Sequence, residues 1–199
     1  MIDNIRKKTI PSKWYMDEQI LKIEKRNIFS KSWHLFCSTD QIPNSGDYKT
    51  MMINDQPIII IKGENNSINA FYNVCQHRGC VLLDNNGNAK SLKCGYHGWV
   101  YDLNGNLKTS RGFDKQKIKI EDFSLKPVEH HVWMNLIFIK LQNEYYDIKK
   151  TLTKIEKIIS PIRFDQYSYH SRVSYKINCN WKIYMDCLLY TSDAADDPT

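Results

Sequence analysis

The chain has 199 residues, 42% of them hydrophobic and 25% charged, a balance typical of a globular protein that buries its own core without disulfides. Its longest apolar run, Ile58–Ile61, is too short for a membrane span, and the N-terminus lacks the apolar stretch of a secretory signal. The net charge of +6 comes from dispersed lysines without a basic stripe, which excludes an obvious nucleic-acid footprint. We therefore expect a cytoplasmic protein whose six cysteines are metal ligands or free thiols.

The first forty residues predict a helical arm. Pro11 and Ser12 provide a helix start, and apolar residues then recur at near-helical spacing as far as residue 36. We assign residues 1–40 to this arm.

From about residue 42 the apolar pattern changes to that of short strands. Strands are predicted at 48–54, 57–62, 68–73, 99–103, 107–110 and 132–141. Turns rich in Asn and Gly separate them, and Asn104-Gly105 is a strong hairpin pair. This pattern predicts a mainly β fold, a small sandwich or barrel, which we assign to residues 41–145.

The last part of the chain predicts a second region. A helix is expected over 149–159 and a strand over 169–178, followed by Trp181. Residues 146–186 therefore look like the start of another domain.

Two short boxes between predicted strands carry the residues with metal chemistry. The first box is residues 75–80 (CQHRGC), and the second box is residues 94–99 (CGYHGW). Each box begins with a Cys and holds one His with a glycine after it, so that the backbone can curl tightly around a bulky group; the first box also ends on a second cysteine, Cys80.

The mixed composition of each box decides which metal centre it suits. A zinc finger has two Cys in one half and two His in the other, whereas each half here holds one of each. This arrangement favours a [2Fe–2S] cluster in which Cys75 and Cys94 bind one iron and His77 and His97 bind the other. A structural zinc site and four unrelated buried residues are the alternatives.

The boxes and their flanks, NVCQHRGC and KCGYHGWVYDLNG, resemble the Rieske domain. More narrowly, they resemble the domain in α subunits of Rieske non-haem iron oxygenases, the ring-hydroxylating and quaternary-ammonium monooxygenase families. Glu24 and Trp33 upstream fit the same pattern, and Asn180-Trp181-Lys182 resembles the start of that family's catalytic domain. The resemblance covers roughly residues 10–186.

The resemblance implies a function. In that family a ferredoxin or flavin reductase passes electrons from NAD(P)H to the Rieske cluster, which supplies a mononuclear non-haem Fe(II). That iron uses O₂ to hydroxylate an organic substrate, as a monooxygenase or dioxygenase, in a homo-oligomer that is a trimer in the family. In the family, two His and a carboxylate downstream of the N-W-K segment bind this mononuclear iron. This sequence has no His after Trp181, so we expect no catalytic iron ligands here.

A stand-alone Rieske ferredoxin, an electron carrier without a substrate of its own, is the alternative function. Against it stand the lead-in of about forty residues and the N-W-K segment, which a carrier would not have.

The resemblance also separates Rieske subclasses. In the respiratory class, an extra cysteine in each box forms a disulfide over the cluster, but this chain has Tyr96 at the position of the cysteine in the second box. That class also has a serine that donates a hydrogen bond to the cluster, and this chain has Trp99 at that position. Cys80 stands where the first disulfide cysteine would be, so no such bridge is expected. Hydrogen-bond donors to the cluster sulfurs raise the reduction potential, so without the serine donor we expect a low potential. The lowering is expected to be partial, because Tyr101 matches the tyrosine donor of the respiratory class.

Residues 187–197 match a translation of a transposase sequencing adapter. We therefore expect 187–199 to be an artefact and 146–186 to be the truncated start of an α+β catalytic domain. The adapter's first base would complete codon 186, so that residue is Asp or Glu in the intact gene.

Overall fold

The computed structural model describes residues 10–113, 119–142 and 147–195, and it divides the chain into two compact units. The central unit comprises residues 28–170, and the terminal unit combines residues up to 27 with residues from 171 onward. No helix in the described ranges is both long enough and apolar enough to cross a membrane.

The central unit is built from short antiparallel strands, which confirms the mainly β prediction. Its strands are β1 Trp33–Ser38, β2 Asp47–Ile53, β3 Gln56–Lys62, β4 Ile68–Tyr72, β5 Gly87–Asn88, β6 Leu92–Lys93, β7 Val100–Tyr101, β8 Leu107–Thr109, β9 Glu129–Trp133 and β10 Leu136–Lys140. They form three sheets with the orders β1-β10-β9, β4-β3-β2-β5 and β6-β7-β8.

Strand β3 lies between two hydrophobic cores. Its four isoleucines are all 0% exposed, and successive side chains point to opposite faces of the sheet. Ile59 and Ile61 pack in the core that contains Cys75 and Cys94, whereas Ile58 and Ile60 pack in a second core with residues of β1 and β10. Each buried isoleucine contributes roughly 1.5–3 kcal/mol, so β3 is a rigid base for the strands on either side.

The predicted helical arm is confirmed only in its first part. The structure has α1 at Lys13–Met16, α2 at Glu18–Glu24 and a π-helical turn at Lys25–Phe29. The helical prediction is wrong over 33–36, because Trp33–Ser38 forms β1 and pairs with β10. There the packing of Phe36 and Cys37 in the second core outweighs the helical spacing.

Two strand predictions were also wrong. The segment 132–141 is a hairpin rather than one strand, because Met134 adopts a left-handed φ of 54° and reverses the chain between β9 and β10. Residues 169–178 form no strand, since no described strand pairs with them and their side chains are exposed. The helix prediction over 149–159 is confirmed by α3, Ile148–Ile159, which Asp147 caps through the Lys149 amide at 3.0 Å.

The terminal unit contains a buried ion pair. Glu24 accepts hydrogen bonds from Lys182 Nζ at 2.6 and 2.8 Å and from Trp181 Nε1 at 2.9 Å. Burial would raise the pKa of Glu24, but the hydrogen bonds from Lys182 and Trp181 outweigh it and hold that pKa below its usual range. Helix α4, Trp181–Ala195, begins at this contact and continues past residue 186. Residues that the sequence resemblance singled out separately are therefore partners in the fold.

Candidate metal centre

The two boxes share one backbone frame. In each box, the amide of the leading cysteine donates to the carbonyl of the residue five positions later at 2.8 Å. In each, the amide of the glycine four positions after the cysteine donates back to the cysteine carbonyl at 3.0 Å. The residues that flank each box also pair, Val74 with Val81 and Lys93 with Val100. The chain thus builds the same loop twice.

A glycine in the left-handed region closes each loop. Gly79 has a φ of 71° and Gly98 a φ of 73°. A Cβ at Gly79 would meet nothing within 4 Å, and one at Gly98 would make only ordinary contacts. Backbone conformation, rather than lack of space, therefore requires glycine at both positions.

The four predicted ligands come together where the loops meet. Cys75 and Cys94 are each 2% exposed at the base of the loops, and each thiol affects the pKa of the other. The imidazole rings of His77 and His97 have centroids 4.6 Å apart and lie on the more accessible side. His77 Nδ1 is buried and has no hydrogen-bond partner among the described residues. The role of these four residues as ligands remains a prediction.

Burial and hydrogen bonds act in opposite directions on both buried thiols. Burial raises the pKa of Cys75, and a hydrogen bond with Tyr101 offsets only part of that effect. Burial opposes ionisation of Cys94 too, but hydrogen bonds from the amides of Tyr96 and His97 lower its pKa. By contrast, burial raises the pKa of Cys37, an ordinary core thiol, to about 12.

Tyr101 lies against the first box. Its side chain is fully buried, and its hydroxyl oxygen accepts a hydrogen bond from the Gln76 amide at 3.0 Å. Since the oxygen serves as acceptor there, its proton is free to point to Cys75 Sγ, 3.4 Å away. Tyr101 is thus a donor to the sulfur that would carry negative charge.

Aromatic rings pack against the imidazole of His77. Trp99 stacks on it with centroids 4.8 Å apart and planes 7° apart, and Phe113 meets it edge-on at 5.3 Å. Phe113 and Phe123 also meet Trp99 edge-on, each at 5.6 Å. Burial, and then the charges of His97 and Arg78, lower the pKa of His77, which favours the neutral form that binds metals.

Sequence reasoning missed three contributors to this centre. Phe113 lies in an irregular segment after the second box and Phe123 ends a short 3₁₀ helix, Ile120–Phe123, and no motif marks them. Asn73 is 2% exposed and clamps the chain leaving the first box, since its Nδ2 donates to the Leu83 carbonyl and its Oδ1 accepts from the Leu83 amide. The only signal for Asn73 in the sequence was its place two residues before Cys75.

A third thiol lies beside the predicted ligands. Cys80 is half-buried and donates to the Val81 carbonyl at 3.3 Å, and burial and the nearby Cys94 both raise its pKa. It closes the first box at the position that Trp99 occupies in the second.

The donor set fits a binuclear cluster better than a single ion. Within the described ranges, no three His, Cys, Asp or Glu side chains surround one point as a single metal ion requires. Tetrahedral zinc would need four such ligands around one point. A [2Fe–2S] cluster needs only two ligands on each iron, with thiolates and imidazoles kept apart, and a buried imidazole nitrogen without a partner suits such a ligand.

The fold and this donor arrangement define a Rieske-type domain. In agreement, the family profile described as the Rieske [2Fe-2S] domain matches residues 32–124.

Similar proteins give the family more closely. The chain is 31% identical to chloroplastic choline monooxygenase of Arabidopsis thaliana over 193 residues, which is 91% of this chain and 46% of that protein. It is 36% identical to the carnitine monooxygenase oxygenase subunit of Escherichia coli K12 over 135 residues, 64% of this chain and 36% of that subunit. The chain thus spans less than half the length of these relatives.

Solved structures agree with the sequence relatives. The apo form of the quaternary ammonium Rieske monooxygenase CntA matches 89% of this chain and 53% of its own, with a TM-score of 0.83 and 28% identity. Naphthalene 1,2-dioxygenase from Rhodococcus sp. matches 89% of this chain and 42% of its own, with a TM-score of 0.79 and 26% identity. The chain belongs to the family of Rieske non-haem iron oxygenase α subunits, which confirms the resemblance predicted from the boxes.

Proposed function

We propose that Cys75 and Cys94 bind one iron of a Rieske [2Fe–2S] cluster and that His77 and His97 bind the other. The observation that carries this proposal is the repeated loop, which supplies one buried thiol and one more accessible imidazole from each box. When bound, such a cluster accepts and releases one electron at a time.

The protein's own residues govern that centre. The thiols lie in the core, where Tyr101 donates to Cys75 and backbone amides donate to Cys94. The imidazoles lie nearer the surface than the thiols, so an electron donor or acceptor is expected to approach on the imidazole side.

We infer that the whole protein is an oxygenase subunit. It would take NAD(P)H-derived electrons from a ferredoxin or flavin reductase and use O₂ at a mononuclear non-haem Fe(II) to hydroxylate an organic substrate. We also propose a homo-oligomer, supported by a related monooxygenase structure described with inter-subunit electron transfer. Relatives match over as many as 193 residues, well beyond the domain at 32–124, which argues against a stand-alone ferredoxin.

We further propose a quaternary ammonium compound as the substrate. Choline, carnitine and glycine betaine monooxygenases are among the relatives, and the CntA structures match this chain well. An aromatic substrate has less support, since it rests on a 2-aminobenzenesulfonate 2,3-dioxygenase at 29% identity and on the naphthalene dioxygenase structures.

Iron and sulfide analysis tests the cluster. Purified protein is expected to hold about two iron and two acid-labile sulfide per chain, the content of one [2Fe–2S] cluster. Cys75→Ser is expected to abolish it, whereas Cys80→Ser, which removes the neighbouring third thiol, is expected to retain it. Stoichiometric zinc without sulfide, in protein made with ample iron, would disprove the proposal.

Product analysis tests the substrate. The oxygenase that carries this chain, supplied with a reductase, NADH and O₂, is expected to convert choline, carnitine or glycine betaine but not naphthalene or benzenesulfonates. Mass spectrometry of the products decides between the two classes, and conversion of the aromatic compounds alone would overturn the assignment.

A further inference from the structure

Trp99 carries a buried hydrogen-bond donor without an acceptor. Its side chain is 1% exposed, and Nε1 has no hydrogen-bond partner among the described residues. Leaving such a donor unpaired costs about 1–3 kcal/mol, and buried polar groups are rarely left in this state. We therefore expect a hydrogen-bond acceptor for the indole N–H in the complete protein.

The position of Trp99 indicates where an acceptor would come from. Its ring stacks on the imidazole of His77, whose Nδ1 is also buried and unpaired. Two stacked rings thus each present a polar atom that no described protein group satisfies. If His77 is a ligand, as we propose, a group bound to it would lie beside the indole that stacks on its ring.

A water molecule is a poor alternative acceptor. An ordered buried water makes two to four hydrogen bonds, so it needs several polar neighbours. The other rings against Trp99 are those of Phe113 and Phe123, which offer only apolar edges and faces. A cluster brings sulfur atoms that carry negative charge and accept hydrogen bonds.

We propose that Trp99 donates its indole N–H to a sulfur atom of the bound cluster and thereby raises the cluster's reduction potential. This inference rests on the proposed [2Fe–2S] centre. Trp99 is then a residue that sets the potential, because its hydrogen bond is stronger when the cluster carries the extra electron. The sequence indicated only that a serine donor is missing here, whereas the structure places a different donor at that position.

Replacement of the indole by a ring without N–H tests the proposal. Trp99→Phe keeps an aromatic ring for stacking on His77 but removes the donor. Trp133→Phe is the matched control, because Trp133 in β9 also has a buried, unpaired Nε1 but lies outside the centre. Midpoint potentials are measured by redox titration followed by electron paramagnetic resonance.

Trp99→Phe is expected to shift the one-electron reduction equilibrium about tenfold toward the oxidised form, equivalent to about 59 mV, with no shift in Trp133→Phe. After exchange into D₂O, several deuterons are expected to couple to the reduced cluster, and Trp99→Phe is expected to lose one of the couplings that wild type and Trp133→Phe both show. An intact cluster with unchanged potential and coupling in Trp99→Phe would overturn the proposal and assign the N–H to a phenylalanine face.

A second measurement covers the case in which Trp99→Phe fails to assemble a cluster. Wild-type protein with ¹⁵N-labelled tryptophan is expected to show hyperfine coupling of one indole nitrogen to the reduced cluster, and absence of that coupling would refute the hydrogen bond. Wild-type protein without iron and sulfide would instead refute the proposed centre itself, so the two failures are distinguishable.

Discussion

The first and second boxes have the same backbone frame but carry their side chains at different places. In the first box the imidazole is two positions after the cysteine, and in the second it is three positions after. Tyr96 occupies the second-box position that His77 has in the first box, and its side chain is 65% exposed. Arg78 occupies the first-box position that His97 has in the second box, and it is also exposed. Backbone hydrogen bonds therefore build the loops, whereas the offset of one residue decides which side chains meet between them.

The boxes also differ in how their cysteines and closing residues are supported. Both cysteines accept from backbone amides of their own loops, but only Cys75 also has a side-chain hydroxyl, that of Tyr101, as a hydrogen-bond partner. The first box closes on a small thiol, Cys80, and the second on a large indole, Trp99. Equivalent substitutions in the two boxes are therefore expected to have unequal effects.

The largest effect is expected from a change in histidine offset. The double substitution Tyr96→His with His97→Tyr gives the second box the spacing of the first, and it is expected to abolish the cluster, because the imidazole then lies at an exposed loop position. Iron and sulfide content and the visible spectrum are measured. Tyr96→Phe is the control and is expected to keep the cluster; a full cluster in the double variant would show that the offset is unimportant.

Loss of the polar clamp is expected to affect the first box alone. Asn73→Ala removes both hydrogen bonds to Leu83 and leaves backbone groups unpaired, which is expected to lower the free energy of unfolding by about 1–3 kcal/mol. The equivalent residue before the second box is Leu92, which is apolar and fully buried. Urea unfolding measures the loss, and an unchanged midpoint would contradict a stabilising role for the clamp.

The glycines test whether the two frames are equivalent. Gly79→Ala and Gly98→Ala are each expected to cost roughly 1–2 kcal/mol, because alanine is strained at their positive φ. The control is Gly95→Ala, since Gly95 has no positive φ and a Cβ there meets nothing within 4 Å. Thermal unfolding compares the three, and a loss at Gly95 as large as the others would refute the conformational explanation.

The smallest effect is expected from substitution of Tyr101, whose hydroxyl contacts a cysteine of the first box only. Tyr101→Phe removes the hydroxyl near Cys75, which is expected to lower the midpoint potential by less than the 59 mV that corresponds to about tenfold for one electron. Cluster content is expected to stay complete. A potential that rises or stays constant in the redox titration would show that the hydroxyl does not donate to the thiolate.

The sequence predicted features that depend on neighbours in the chain. The isoleucine run predicted a strand buried on both faces, and Asn104-Gly105 predicted the hairpin that joins β7 and β8, where the Asp102 amide bonds the Asn106 carbonyl at 2.9 Å. Prediction failed at β1 and at 169–178. In the first case a distant strand, β10, supplied a partner, and in the second no described strand did.

By itself the sequence determined the donor types, their spacing and the glycines that let each loop close, because these properties belong to consecutive residues. Tertiary structure alone decided which groups face one another: the Tyr101 hydroxyl at Cys75, the Trp99 indole on His77 and the Phe113 ring beside both imidazole and indole. These contacts join residues from different strands and loops. They depend on how the sheets pack around β3, which no local pattern specifies.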